Sequence, residues 1–375
     1  MSRIIDTNID HLPENLFVSK RKELDMSRII DINIHHLPED LFSNEEVGDG
    51  FWSTAPRAYG WNVEVFEMES GKMQMNLEYP KGTSNLNYVE GDYSAKSKLD
   101  AMDDAGVDYG IMRVPVWQEW LRVETCRAVN DNAKKICDES NGRLFSTACI
   151  PPWNFKENFY ELERCVKELG CVGVQLACHY GELHLDAEEF RPMLKKIAEL
   201  DIPIVAHHTP LPPSPSPQLL EFQNFRREFG RISSQALAVG RELFSGMFED
   251  LPTLRIIHTM LGGNWFANSE LLTPKKSIKK EAMQRLSSTG GDEIKGYLKN
   301  NIFFDMTHPH SWGKEVMEAA VKISGADHML FGSSFPVFYG WMKQGVEFMN
   351  ELEVSEQERE DMLFNNAKRM FKLAV

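Results

Sequence analysis

The sequence predicts an α/β fold, a parallel (β/α)8 TIM barrel, from three observations. Eight short apolar runs alternate with stretches of helical periodicity, which is typical of βαβ units. The chain has 375 residues, enough for a barrel of about 250 residues with insertions. No glycine-rich phosphate turn follows the first run, which disfavours a doubly wound nucleotide-binding sheet and any nucleotide cofactor. The predicted strands are 29–33, 109–114, 144–150, 172–177, 202–207, 254–258, 302–306 and 328–332.

Helical periodicity fills most of the intervals between these strands. It predicts helices over 122–139, 155–169, 187–200 and 311–323, followed by 341–351 and 355–371. Two stretches break the rhythm. Residues 45–92 form a long excursion after the first strand without a clear periodic pattern, and residues 209–217, TPLPPSPSP, follow the fifth strand. Long connections in compact domains are usually lids or binding loops, so we expect both to lie over the barrel mouth.

The N-terminus contains nearly the same segment twice. Residues 1–17 read MSRIIDTNIDHLPENLF and residues 26–42 read MSRIIDINIHHLPEDLF. Two copies are too few for a solenoid, and only one can be the first strand of a closed barrel. The second copy runs directly into the rest of the domain and has a histidine, His35, where the first has Asp10. We therefore expect residues 1–25 to be an extra arm and residues 26–375 to be the barrel.

Composition excludes several classes of partner. The net charge of −15 argues against nucleic acid, because phosphate binding needs a basic surface. No apolar run approaches the ~18 residues of a membrane span, and the N-terminus lacks the pattern of a secretory signal. The six cysteines form no C-x-x-C pair, which favours free thiols in a reducing compartment. We expect a cytoplasmic protein that acts on a small molecule.

Histidines follow several of the predicted strands. His35, His207 and His258 each end an apolar run, and Asn33 lies two residues before His35, on the same side of its strand. In barrels, functional side chains lie at the C-terminal ends of the strands. Three imidazoles at one rim would be suited to a metal or to acid–base chemistry.

Other histidines have two open interpretations. His308 and His310, in THPH, would point the same way if the seventh strand continued that far; otherwise they lie in a proline-containing turn. His36 and His208 directly follow His35 and His207, so we expect them to point away from the mouth and to form supporting hydrogen bonds.

An arginine and three tryptophans are further candidates for substrate contacts. Arg113 ends the second strand and would either pair with a substrate carboxylate or have a structural partner. Trp117 and Trp265 could wall an aromatic pocket, whereas Trp120 is expected to pack in the core.

Several segments together resemble one known family. The chain resembles the amidohydrolase-related family that includes aminocarboxymuconate-semialdehyde decarboxylase and gamma-resorcylate decarboxylase, from residue 26 to the C-terminus. The segments that carry the resemblance are IIDINIHHLP, LDAMDDAGVDYGIM, ELGCVGVQLA, IPIVAHHTP, LRIIHTMLGGNW, MLFGSSFP and NNAKRMF.

The resemblance implies a metal site at the barrel mouth. In that family a first-strand H-x-H pair, a fifth-strand His and an eighth-strand Asp hold a divalent metal, usually zinc, and a sixth-strand His polarises the substrate. His35, His207 and His258 match three of these positions. Two positions depart from the pattern: Asn33 stands for the first His and Ser334 for the Asp.

Three hypotheses about the site follow from these departures, because neutral Asn and Ser oxygens are poor zinc ligands. A metal could be held by His35, His207 and His258, with His308 or His310. A metal-free enzyme could use histidines as acid and base, with Ser334 as hydrogen-bond donor or nucleophile. Alternatively, the site could be inactive.

The resemblance also implies the type of reaction. The substrate would be a small cyclic or aromatic compound with a carboxylate or an enolisable carbonyl. We expect a hydrolase, because an imidazole can replace the missing carboxylate as the base for water; a non-oxidative decarboxylase is the alternative. A catalytically inactive barrel with a role in assembly is a second alternative. Relatives in this family imply a homo-oligomer, a dimer or tetramer.

Overall fold

A computed structural model describes residues 28–54, 62–78, 84–115, 121–209, 223–274 and 289–375. In it, eight parallel strands form one sheet in which each strand pairs with the next in the chain. This confirms the predicted barrel, and every observed strand end lies within two residues of its predicted position. The first to eighth barrel strands are Ile30–His35, Tyr109–Arg113, Leu144–Cys149, Gly173–Ala177, Ile204–His207, Ile256–His258, Ile302–Asp305 and Met329–Leu330.

The segment after the eighth strand closes the ring against the first strand. The backbone N–H of Ile32 donates to the carbonyl of Phe331 at 3.0 Å, and the N–H of Ser334 donates to the carbonyl of Asn33 at 2.8 Å. Further on, Phe335 forms a parallel bridge with Ile34. These contacts bring residues 33 and 334, nearly the full length of the barrel apart in sequence, to the same rim.

Strand register decides which side chains face the lumen. Ile32, Val205 and Ile257 pack together inside the barrel, and Ile34, Ala206 and Ile256 belong to the layer between strands and helices. The pairing of the first strand with the second shifts between Asp31 and Ile34. Such an irregularity adds a residue and reverses the alternation of sides, so that Asn33 and His35 turn inward at the mouth.

Helices cover the barrel between successive strands, and most predicted helices are observed. The C-terminal stretch predicted as one helix instead contains a short π-helical segment, Asp361–Asn365. The α-helices are Glu45–Trp52, Ala95–Ala105, Val123–Glu139, Lys156–Lys167, Arg191–Leu200, Gln223–Phe244, Met247–Asp250, Met260–Leu272, Gly291–Asn300, Lys314–Ser324, Trp341–Glu351, Glu356–Glu360 and Asn366–Met370. In the described part of the chain, none of the helices combines the length and the apolar character needed to cross a membrane.

The excursion after the first strand has more regular structure than the sequence predicted. It holds the helix Glu45–Trp52 and a three-stranded antiparallel sheet, Asn62–Glu67, Met73–Glu78 and Ser84–Val89. The first hairpin turns at Gly71, whose φ of +78° suits glycine. Residues 1–25, expected to form an arm, and residues 210–217 of the proline-rich segment lie outside the described residues.

The element Met260–Leu272, which follows the sixth strand, begins with a left-handed turn and has right-handed helical geometry only after Asn264. Residues 260–264 all have φ between +50° and +66°, a conformation that costs about 1–2 kcal/mol for each non-glycine residue. Gly263 lies directly against the long helix Gln223–Phe244, because a Cβ there would come within 2.0 Å of the carbonyl oxygen of Ile232. This turn therefore sets how closely that helix approaches the barrel.

We predict that Gly263→Ala destabilises the fold by more than about 2 kcal/mol, because the methyl group would meet backbone atoms and the φ is unfavourable. Gly296→Ala is the matched control. Gly296 lies within the helix Gly291–Asn300 and has open space where a Cβ would be added, so alanine there should leave the protein unchanged or up to about 1 kcal/mol more stable. Urea unfolding monitored by circular dichroism would measure both. Equal stability of the two variants would contradict this account of the turn.

One helix that packs on the barrel has a buried lysine. Lys98, in Ala95–Ala105, is fully buried and donates from Nζ to the carbonyl of Tyr93. Burial lowers the pKa of Lys98 to about 7, partly offset by the charge of Glu39. Because an unfolded lysine has a pKa near 10.4, the unfolded chain binds more protons between pH 7 and 10. Stability must therefore rise with pH in this window.

We predict that Lys98 contributes a slope of up to about 1.4 kcal/mol per pH unit to the unfolding free energy between pH 7 and 10. Lys98→Met removes the titrating group and should flatten that rise. Lys134→Met is the control, since Lys134 pairs with Asp138 on an exposed helix surface. Denaturant unfolding at several pH values would test this, and parallel slopes for the wild type and Lys98→Met would show that the lysine is not held as described.

Candidate active site

A cavity of about 360 Å³ opens at the C-terminal ends of the barrel strands, where sites in this architecture are expected. It receives side chains at or after the ends of the first, second, fifth, sixth, seventh and eighth strands, and others from the long excursion and two helices. The lining residues are His35, Tyr88, Pro115, His207, His208, Arg231, Ile232, Met260, His308, Ser311, Trp312, Ser334, Val337 and Trp341.

His35 and His207 face each other across the floor of this cavity. Their ring centroids are 6.0 Å apart, in an edge-on arrangement. Neither ring nitrogen of His35 has a hydrogen-bond partner among the described residues. The Nδ1–H of His207 donates to the carbonyl of His208 at 2.8 Å, which leaves Nε2 as the nitrogen with the lone pair.

Both rings are neutral at neutral pH. Burial lowers the pKa of His35 well below its ordinary value, and the neighbouring His207 and Arg113 lower it further. Burial is also the main cause for His207, whose pKa is lowered again by the charge of Arg113. Neutral imidazoles are proton acceptors, so the floor of the cavity is basic rather than anionic.

His36 points away from the mouth as predicted, whereas His208 does not, although it has the predicted supporting hydrogen bond. His208 lines the cavity and stacks on His207 with ring centroids 4.2 Å apart, and its Nδ1 lies 3.2 Å from Thr259 Oγ1. The fifth strand ends at His207, so strand alternation no longer dictates where residue 208 points. His36 does point away from the cavity and is buried near Lys98.

His258 does not reach the cavity, and the expectation that it joins His35 and His207 is corrected. In the sheet His258 pairs with Ala206 rather than His207, so it faces the helices. Its ring nitrogens lie 2.8 Å from Gln235 Oε1 and 2.7 Å from Glu242 Oε2, both in the helix Gln223–Phe244. With both nitrogens engaged, His258 has no position left for a metal or a substrate.

A buried polar network lies directly beneath the cavity. Arg113 donates from Nε to Asn33 Oδ1 at 2.7 Å and forms an ion pair with Asp305, and both charged side chains are fully buried. Asn33 Nδ2 donates to Ser334 Oγ at 2.9 Å and to Asp305 Oδ2 at 3.2 Å. Arg113 thus has a protein partner, although its NH1 group has none among the described residues.

Asp31 holds the two ends of the barrel in place around this network. Its Oδ1 accepts the backbone N–H groups of Asn33 and Ser333, at 2.8 and 3.0 Å. Burial raises the pKa of Asp31 to about 6, although these hydrogen bonds oppose the rise. Asp31 therefore connects the first strand with the segment that follows the eighth.

The remaining candidates are divided between the cavity and other surroundings. The seventh strand ends at Asp305, so the THPH segment does not continue it. His308, with φ +43°, lines the cavity, and its ring centroid lies 4.3 Å from that of Trp341. His310 lies in the turn Pro309–Trp312, outside the lining. Trp265 packs instead against Gly240 of the long helix. Trp117 and Trp120 lie outside the described residues.

Several lining residues were not predicted from the sequence. Arg231 and Ile232 come from the helix Gln223–Phe244, Tyr88 from the small antiparallel sheet, and Trp312 and Trp341 from the connections after the seventh and eighth strands. Asp305, which pairs with Arg113 beneath the cavity, was missed as well, although strand alternation places it on the same side as lumen-facing Phe303. The others depend on how helices and loops fold over the mouth, which has no local signal.

The donor set does not fit the metal site implied by the family. His35 and His207 remain, but the side-chain oxygen of Asn33 accepts from Arg113 and that of Ser334 accepts from Asn33. Among the described residues, no group of three or more His, Cys, Asp or Glu could hold a metal ion. Two imidazoles beside a buried guanidinium are a poor site for a divalent cation.

Comparison with known proteins identifies relatives of this chain. A family model described as Amidohydrolase matches residues 90–373. Among curated proteins, the chain is similar to gamma-resorcylate decarboxylase from Rhizobium sp. (strain MTP-10005), with 24% identity over 321 residues, which cover 77% of this chain and 93% of that protein.

Solved structures share the fold. The 2,6-dihydroxybenzoate decarboxylase from Rhizobium has a TM-score of 0.70 at 19% identity and is matched over 93% of this chain and 100% of its own. A dihydroxybenzoic acid decarboxylase from Polaromonas sp. JS666, with bound manganese, has a TM-score of 0.67 at 20% identity, over 93% and 98% of the two chains. The metal in that relative is manganese, which does not favour zinc in particular. With a barrel of this topology and a family match over most of its length, the chain belongs to the amidohydrolase family.

Proposed function

We propose that this chain is a non-oxidative decarboxylase, a carboxy-lyase, that acts on a small aromatic carboxylate. The sequence ranked a hydrolase first and a decarboxylase as the alternative. The similarity to gamma-resorcylate decarboxylase supports the alternative. The chemistry of the cavity wall supports it as well.

The observation that carries this proposal is the charge of the cavity lining. Arg231 is the cationic lining residue, four histidines surround the floor, and no Asp or Glu occurs among the described lining residues. The charge of Arg231 contributes to lowering the pKa values of His35, His207 and His208, so it acts across the whole cavity. Such a lining favours a small anion, and Trp312, Trp341 and Tyr88 suit a planar ring.

The same lining is better suited to decarboxylation than to hydrolysis. Hydrolysis needs a base for water, which an imidazole of the lining could supply, but it makes no use of an anchor for a carboxylate. Decarboxylation needs an anchor for the carboxylate, a proton for the ring carbon and a poorly hydrated pocket. In the proposed site, Arg231 anchors the carboxylate, an imidazole supplies the proton and the apolar walls limit hydration.

In the proposed reaction, a proton is added to the ring carbon that bears the carboxylate. The carbon–carbon bond then breaks, its electron pair returns to the ring, and CO2 leaves; overall, one carboxylate and one proton give an arene and CO2. The bound anion would raise the proton affinity of His35, so that this ring takes up a proton and transfers it to carbon. His207, with Nε2 unprotonated, would accept the proton of a ring hydroxyl.

Release of carbon dioxide tests the reaction. The purified chain would be incubated with carboxyl-13C-labelled 2,6-dihydroxybenzoate and other hydroxybenzoates, and labelled CO2 and bicarbonate would be followed by NMR. A parallel panel of lactones, esters and amides would be followed for hydrolysis. We expect labelled CO2 and no hydrolysis; turnover confined to the second panel would refute the carboxy-lyase proposal, and no turnover on either panel would favour an inactive barrel.

We predict that His207→Asn lowers kcat for decarboxylation by at least about 100-fold, because loss of an acid–base group typically costs that much. The fold should be retained. His328→Asn is the matched control, since His328 precedes the eighth strand at the opposite end of the barrel. Steady-state kinetics and melting temperatures would be measured for both variants, and a His207→Asn enzyme with normal kcat would remove His207 from the reaction.

We predict that Arg231→Met weakens binding of benzoate by about 10- to 100-fold, the usual effect of losing a charge-assisted hydrogen bond. Binding of neutral phenol should change little. Arg241→Met is the control, because Arg241 lies on the same helix but outside the cavity lining, beside Asp186. Calorimetric titration of the two ligands would decide, and equal losses for benzoate and phenol would show that Arg231 does not recognise the carboxylate.

A further inference from the structure

The two positions at which this chain departs from the implied metal set are bonded to each other. Asn33 lies at the end of the first strand and Ser334 follows the eighth, and Asn33 Nδ2 donates to Ser334 Oγ at 2.9 Å. The backbone N–H of Ser334 also donates to the carbonyl of Asn33 at 2.8 Å. The two substitutions therefore form one local structure rather than two independent losses.

The oxygen of Asn33 is already committed to a cation. Oδ1 is the atom of this side chain that could bind a metal, and it accepts from Arg113 Nε at 2.7 Å. Arg113 is fixed in turn by its ion pair with Asp305, with both side chains fully buried. A guanidinium thus already engages the Asn33 oxygen that a metal would need.

Ser334 connects this buried charge to the cavity. Its φ of +63° is unusual for a serine, and its Oγ accepts from Asn33 while the residue lines the cavity. No described residue accepts a hydrogen bond from the Ser334 hydroxyl. Ser334 Oγ accepts from Asn33, and its O–H, which has no acceptor among the described residues, can donate into the cavity.

Bonds in such a chain polarise one another. Arg113 donates to Asn33, and Asn33 donates to Ser334 and to Asp305, so the hydrogen bonds along this chain strengthen one another. A donor fixed in a buried site stabilises a developing oxygen anion more than the same donor in water. The Ser334 hydroxyl is therefore placed as an electrophilic group at the cavity floor.

We propose that Arg113, Asn33 and Ser334 form a hydrogen-bonded chain that takes the place of the divalent metal, with Ser334 donating to an oxygen anion of the substrate. This inference rests on the proposed carboxy-lyase function for the identity of the oxygen, a phenolate or carboxylate oxygen of the aromatic acid. Ser334 is the catalytic residue of the three, because it would touch the substrate. Asn33 and Arg113 are positioning residues.

Metal content is the first test and does not require turnover. The purified full chain would be incubated with Mn2+ or Zn2+, desalted and analysed by mass spectrometry, alongside His207→Asn. We expect the same low metal content in both proteins and an unchanged melting temperature after treatment with EDTA. About one equivalent of metal that is present in the wild type and lost in His207→Asn would overturn the proposal.

The second test measures the ionisation of a bound phenol. 4-Nitrophenol would be titrated into the protein, and the absorbance of its phenolate would give the pKa of the bound ligand. We expect Ser334→Ala to raise the pKa of the bound phenol by about one unit, because a hydrogen bond to the charged form is lost. Ser311→Ala is the matched control, a serine that lines the same cavity without a bond to the Arg113 chain, and should leave this pKa unchanged.

The positioning role needs a variant that does not leave a charge buried alone. Arg113→Met combined with Asp305→Asn removes both charges together, because removal of one partner is strongly destabilising. We expect this double variant to raise the pKa of the bound phenol as Ser334→Ala does. Arg113→Lys keeps a positive charge beside Asp305, so it should raise this pKa less than the double variant. In turnover, Ser334→Ala should lower kcat by about 100-fold or more with little change in KM.

The outcomes separate this inference from the proposed function. No phenolate binding by the wild type, or the same phenol pKa in the wild type and Ser334→Ala, would overturn the chain of donors even if decarboxylation occurs. A shifted phenol pKa and a low metal content without decarboxylation would leave the chain of donors intact and reject the proposed reaction.

Discussion

The buried ion pair of Arg113 and Asp305 is the interaction that holds the barrel mouth together. It joins the ends of the second and seventh strands, which are not neighbours in the sheet, so it spans the lumen. A buried charge that loses its partner typically costs about 3–5 kcal/mol. Asn33 bonds to both members, and through it the network reaches Ser334 and closes the ring between the first and last strands.

That network determines the electrostatic character of the cavity above it. Burial and the charges of Arg113 and Arg231 keep His35 and His207 neutral, and the described lining contributes no carboxylate. The mouth therefore combines proton acceptors with fixed positive charge. An anion enters such a site favourably, whereas a second cation does not.

The long helix Gln223–Phe244 links the cavity to the outside of the barrel. It contributes Arg231 to the cavity, while Gln235 and Glu242 engage His258 behind the sixth strand. Its close approach depends on the left-handed turn at residues 260–264, where Gly263 leaves no room for a side chain. One packing contact thus supports both the position of Arg231 in the cavity lining and the buried His258 pair.

The sequence alone was sufficient to predict the barrel and its eight strands, because apolar periodicity and strand order are local properties. It also predicted the rim shared by His35, His207, Asn33 and Ser334, because a parallel barrel brings the C-terminal ends of all its strands together. The sequence was not sufficient to predict which side of its strand each residue faces. His258 ends an apolar run as His207 does, yet the register places it opposite Ala206 and among the helices. Nor did the sequence show that Asp305 would hold Arg113, or that Tyr88, Arg231 and Trp341 would cover the cavity. Such contacts join residues tens to hundreds of positions apart, and only packing of helices and loops over the mouth decides them.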